Sequence, residues 1–201
     1  MKEVELNKNI KLSPHFTLGE LTKTSYYTSD GNIPSCVAIE NLKNICENWL
    51  EDLRYSYNVL YGEGREGDRR EGVRREGVSR NDGEIPIIIS SGFRSEEVNR
   101  KCGGAKGSNH LTGCAVDIRC YGPEHMIRMA GILLDIADGT KRDLTSSRVC
   151  SRSAESIQAS LCARSNADFD ELILEQRGTT YWIHFAVRPK DNRRKILFDC
   201  R

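Results

Sequence analysis

The chain has 201 residues, with 30 Lys and Arg against 29 Asp and Glu for a formal net charge of +1, so no global field draws it toward nucleic acid or an anionic surface. That length suits one domain, 1–201, carrying insertions. No stretch approaches the roughly 18 apolar residues needed to cross a bilayer. Residues 1–10 lack the basic cluster and apolar run of a secretory leader, so synthesis in the cytoplasm without a signal peptide is expected.

In chain order, Thr17 is placed to cap a short helical turn at Leu18 to Leu21. Ala38, Leu42, Ile45, Cys46, Trp49, Leu50 and Leu53 then recur at three- and four-residue spacing behind Ser35, the pattern of an amphipathic helix with Trp49 as a core anchor. Residues 62–84 break the pattern. Arg-Glu-Gly recurs at 65–67, 70–72 and 75–77 with almost nothing apolar, and such composition buries too little to offset ordering entropy. A flexible surface insertion is expected there.

Ile85 to Ile89 reads as a β-branched strand delivering the loop Ser90-Ser91-Gly92, after which Arg94 precedes Ser95, a helix cap. Pro123 to Asp138 reads as a second long helix whose methionines are core, and Gly139 ends it. The polar stretch 140–166 reads as a second insertion. Glu171 to Glu175 and Tyr181 to Val187 form two strands, plausible as a hairpin around Gly178, with Trp182, His184 and Ala186 sharing one face by the period of two.

The eight cysteines contain no C-x-x-C pair, and reduced thiols without a thiolate knuckle are expected. Of the four histidines, His15 follows a proline in an N-terminal turn and His125 opens a helix, and neither has ligand-like surroundings. His110 differs: it lies among Gly103, Gly104, Gly107 and Gly113, where backbone can crowd an ion. Asp117 follows on a short apolar alternating stretch, and a buried carboxylate needs a partner such as a dication. With His184, these supply two imidazoles and a carboxylate, enough for a catalytic zinc site with one position open to water.

Ser90-Ser91-Gly92-Phe93-Arg94-Ser95, the run Ser108 to Asp117, Phe169 to Glu175 and Trp182-Ile183-His184 together resemble the zinc D-alanyl-D-alanine carboxypeptidase family, which includes phage endolysins and the hedgehog domain. The resemblance implies an α+β fold, with a small, mainly antiparallel sheet, helices on one side and a zinc cleft. It implies His110, Asp117 and His184 as Zn2+ ligands, and Arg94 and Ser108 as substrate contacts. Trp182, beside the last ligand, reads as a wall of the substrate cleft. Many such peptidases place an acid three residues before the last His, where this chain has Tyr181. Glu175 is therefore expected as the general base. Glu171 stands where Gln is common in the family, and no site role is expected of it. The expected activity is hydrolysis of peptidoglycan stem peptides containing D-amino acids by a monomer acting on the cell wall, in a bacterial or phage setting. The alternative is a zinc-stabilised binding module without turnover.

Overall fold

A computed structural model describes residues 7–62, 84–139 and 168–200. The repeat at 62–84, apart from its two end residues, and the stretch 140–166 lie outside the described residues.

The first turn, α1 (Leu18–Leu21), forms where expected, because Thr17 and Glu20 make a reciprocal capping box. Helix α2 (Cys36–Ile45) is capped by the Ser35 hydroxyl, passes through a π turn at Cys46–Leu50, and continues without a break as α3 (Glu51–Tyr61). It runs well beyond Leu53, since Tyr57 extends the buried stripe by a further turn. The wider π turn brings Cys46, Trp49 and Leu50 inward together. Trp49 is 1% exposed and packs against Phe185, ring centres 5.0 Å apart, in keeping with the core role read from the helical stripe.

Strand β1 (Ile89–Ser91) is shorter and later than its apolar run suggests. Residues 85–88 lie outside the ladder proper, joined to it by the Arg119 amide on the Ile88 carbonyl. Helix α4 (Glu96–Lys101) is capped by Ser95. Strand β2 (Ala115–Cys120), helix α5 (Pro123–Ala137), and the hairpin strands β3 (Glu171–Arg177) and β4 (Thr180–Ala186) follow. A further strand, β5 (Lys195–Cys200), has no counterpart among the sequence expectations.

The sheet order is β1-β2-β4-β3-β5, antiparallel throughout except for the parallel pair β3 and β5. The α+β architecture is thus the expected one. Val116, Ile118, Leu172, Leu174, Ile183 and Phe185 form one face of the sheet and merge with Leu42, Ile45, Leu53, Met129 and Leu133 into a single core. Alternation then puts Asp117, Trp182, His184, Glu171 and Glu175 on the other face. No helix among the described residues is long and apolar enough to cross a membrane.

Candidate metal centre

Three segments converge on the open face of the sheet. Asp117 and His184 are direct cross-strand partners on β2 and β4, which puts their side chains within reach of each other on one face. His110 arrives from a 3₁₀ turn, Asn109–Thr112, capped by the Ser108 hydroxyl and ended by Gly113 in the left-handed region at φ 71°. A Cβ at Gly113 would stand 2.3 Å from the Ala38 carbonyl oxygen, so only glycine lets this turn sit against α2. Gly92 solves a similar problem: a Cβ there would be 2.2 Å from the Leu21 carbonyl oxygen. Its own carbonyl is thereby free to face His110.

The result is a tight triangle. His110 Nε2 lies 3.2 Å from Asp117 Oδ1 and 3.1 Å from His184 Nδ1, and His184 Nδ1 lies 3.0 Å from Asp117 Oδ1. All three ligand atoms fall within 4.8 Å of one another, and no other His, Cys, Asp or Glu joins the group among the described residues. Cys114, close in sequence, stays out of it. His110 and Asp117 are buried and His184 is partly so.

The donor set fits a zinc ion. His110 Nδ1 is 2.6 Å from the Gly92 carbonyl; a carbonyl only accepts, so Nδ1 carries the proton and Nε2 presents a bare lone pair to the triangle. His184 is arranged the same way from the other side, with Nε2 3.6 Å from Glu171 Oε2 and Nδ1 turned inward. Carboxylate or carbonyl partners behind ligating imidazoles are the usual support of a metal site. Arg94 pairs with Asp117 Oδ2 and donates through Nε to the Ser91 hydroxyl at 2.8 Å, which leaves Asp117 Oδ1 for the triangle.

Charges follow from this packing. Burial opposes ionisation of Asp117, but the His110 and His184 contacts outweigh it and hold the carboxyl well below the usual range. Burial likewise opposes a charged His184, yet Asp117 and Glu171 raise it to about 9. The His184 contact, helped by Arg193, brings Glu171 down to about 2 against burial.

Glu175 stands one rung from the triangle, directly across from Trp182. Burial and then the negative charge of Asp117 raise its pKa above the ordinary glutamate value. Tyr181 faces the other way: it packs on the helical core and its hydroxyl accepts from Gln176 at 3.1 Å. An acid at position 181 would therefore point away from the triangle on this regular strand.

Sequence reasoning missed a supporting cluster. Asp170 is 0% exposed and accepts from Arg193 Nε and Nη2, both at 2.7 Å, and from Asn109 Nδ2 at 2.8 Å, while Arg188 Nε lies 3.0 Å away as an ion-pair partner and donates to Asn109 Oδ1. Through Asn109 it ties the start of β3 to the turn that carries His110. Glu171, of which no role was expected, joins Arg193 and Lys195 to His184. An acidic pair at a strand start is common in sequences, and nothing local distinguishes this one. His15 and His125 have structural partners, the Glu51 carboxylate at 2.6 Å and the Tyr121 amide at 3.2 Å respectively.

A family model described as Peptidase M15 matches residues 76–135. Over that stretch the chain is similar to the Peptidase M15 family. The matched stretch contains Arg94, Ser108, His110 and Asp117 but ends before β3 and β4. His184 and Glu175 are joined to it by the sheet register alone. A comparison with curated proteins found no match.

Proposed function

We propose that the protein is a zinc metallopeptidase that hydrolyses peptidoglycan stem peptides containing D-amino acids, and that its place of action is the cell wall. The observation that carries this reading is the convergence of His110 Nε2, Asp117 Oδ1 and His184 Nδ1 within 4.8 Å on an open sheet face, with Glu175 on the adjacent rung. Two imidazoles and one carboxylate are the donor set of a catalytic zinc, with a position left for water or substrate.

When bound, zinc would supply a water of lowered pKa and polarise the scissile carbonyl. The remaining work belongs to side chains. Glu175, half-buried and raised above the ordinary glutamate value, accepts the proton of the attacking water and passes it to the departing amine. Trp182 stands directly across from Glu175, and its indole walls the cleft. Arg94 fixes the rotamer of Asp117, and Ser108 fixes the backbone of His110. Glu171 and Gly92 set the ring tautomers of the two histidines.

The test is turnover of purified peptidoglycan and synthetic stem peptides beside zinc content, for wild type and Glu175→Gln. The variant should retain zinc and lose about 10²- to 10⁴-fold in kcat, the usual contribution of a positioned general base. Wild-type turnover in the variant would reject Glu175, and binding of peptidoglycan without any cleavage by wild type would reject the peptidase reading.

A further inference from the structure

The open face of the sheet is laid out in rungs. The ligand rung runs Asp117, His184, Ile173 and Leu197 from β2 to β5. The next rung runs Arg119, Trp182, Glu175 and Asp199. Arg177 follows Glu175 on the same face of β3, its guanidinium 5.9 Å from the centre of the Trp182 ring. Arg119 leans toward Tyr121 at 5.7 Å.

The cations around the cleft divide into two groups. Arg94 is committed to Asp117, Arg188 and Arg193 to Asp170, and Lys195 to Glu171. Arg119 and Arg177 are both exposed, and among the described residues neither has a carboxylate within ion-pair distance. They flank Trp182, which is partly buried and stands directly across from Glu175. A single unpaired surface arginine is ordinary. Two of them bracketing a partly buried indole, one rung from a metal triangle whose other cations are used up, make a cationic edge that forms no ion pair among the described residues, although Glu175 and Asp199 share its rung.

We infer that Arg119 and Arg177 form, with Trp182 between them, a subsite for a free carboxylate of the peptide substrate. This rests on the peptidase reading above. A guanidinium fork holds a carboxylate through two parallel hydrogen bonds, and the indole offers the apolar contact for the carbon chain that carries it. Two positions along a strand span about 6.6–6.8 Å, so the rung of Arg119 lies about two extended residues from the scissile carbonyl. The carboxylate selected is therefore one close to the cleaved bond. Its source is either the chain terminus or an acidic side chain, since both present the same group.

Matched pairs of synthetic stem peptides separate these sources. One pair differs only in a free or amidated C-terminus, the other only in a free or amidated acidic side chain, each within two residues of the scissile bond. KM and kcat are measured with the zinc-loaded protein, and dissociation constants by calorimetry. Wild type should favour the acid form of at least one pair by about ten-fold, the contribution of one charge-assisted hydrogen bond. The preference should fall as salt is raised. In the R119Q/R177Q double variant the acid-to-amide ratio should shrink to within about two-fold while zinc content and Tm stay at wild-type values. The pair that shows the preference names the source. Equal treatment of acid and amide by wild type in both pairs, or a preference that survives the double substitution, overturns the subsite. Absence of hydrolysis of every peptide overturns the peptidase reading instead, and the calorimetric ratio then decides the subsite on its own.

Discussion

The Asp170 cluster offers the sharpest stability test, through the substitution Asp170→Asn. The wild-type carboxylate is fully buried and takes two bonds from Arg193 at 2.7 Å and one from Asn109 at 2.8 Å, with the Arg188 guanidinium 3.0 Å away as an ion-pair partner. Asparagine keeps the shape but offers one acceptor oxygen and turns an amide N–H₂ toward guanidinium donors. Breaking a buried pair by removing one partner costs about 3–5 kcal/mol. The Arg188 and Arg193 side chains are 33% and 45% exposed, so water satisfies part of what they lose, and about 2–3 kcal/mol is the expected destabilisation. At about 2–4 °C per kcal/mol for a chain of this size, calorimetry should show Tm lower by about 5–10 °C at neutral pH. The pH dependence has a definite sign. Burial would raise the Asp170 carboxyl, but Arg193, Asn109 and Arg188 lower it from 3.8 to about 2. A depressed carboxylate stabilises the fold above its unfolded pKa and loses that contribution as pH falls through the folded one. The gap between variant and wild type should thus be full above pH about 5 and close between about 4 and 2. A Tm within about 2 °C of wild type at neutral pH, or a gap of equal size at both ends of that window, would refute the reasoning.

Other outcomes follow from the same geometry. Elemental analysis should find about one zinc per chain, and the His110→Ala, His184→Ala double variant should lose it, because one carboxylate alone cannot replace a three-ligand set; stoichiometric zinc in that variant would defeat the assignment. Gly113→Ala should lower Tm and weaken zinc binding in a chelator competition, since left-handed strain alone is about 1–2 kcal/mol and the added Cβ would meet the Ala38 carbonyl at 2.3 Å; an unchanged Tm would argue against the close approach. Replacing residues 63–83 by a short linker should leave zinc content and Tm nearly unchanged. The two flanks are already tied together, with the Ile85 amide on Asn58 Oδ1 at 2.6 Å and Asn58 Nδ2 on the Ile85 carbonyl at 2.9 Å, and loop-closure entropy varies slowly with length; loss of more than a few degrees would count against an insertion.

Some of this protein is determined by the chain itself. The helix caps at Thr17, Ser35 and Ser95 and the buried stripe from Ala38 to Leu53 rest on local periodicity and short-range hydrogen bonds. The hairpin of β3 and β4 likewise needs only two β-branched or aromatic runs and a glycine at φ 57° between them. The three residues of the triangle were legible as candidates because their types are uncommon and their glycine-rich setting is distinctive. The rest depended on neighbours remote in sequence. Strand β5 carries no alternation of its own and forms because Arg194 and Lys195 amides find the Phe169 and Asp170 carbonyls. β1 begins only at Ile89, where β2 supplies a partner. Whether Glu171 matters cannot be read from its flanking residues, since its role comes from His184, Arg193 and Lys195 meeting it in space. The side of the sheet taken by position 181 and by Glu175 is a parity that cross-strand register decides: with His184 opposite Asp117 and Trp182 opposite Glu175, the tyrosine must face the core and the glutamate the metal triangle. A one-residue slip would exchange them, and only long-range packing of the apolar face against the helices forbids it.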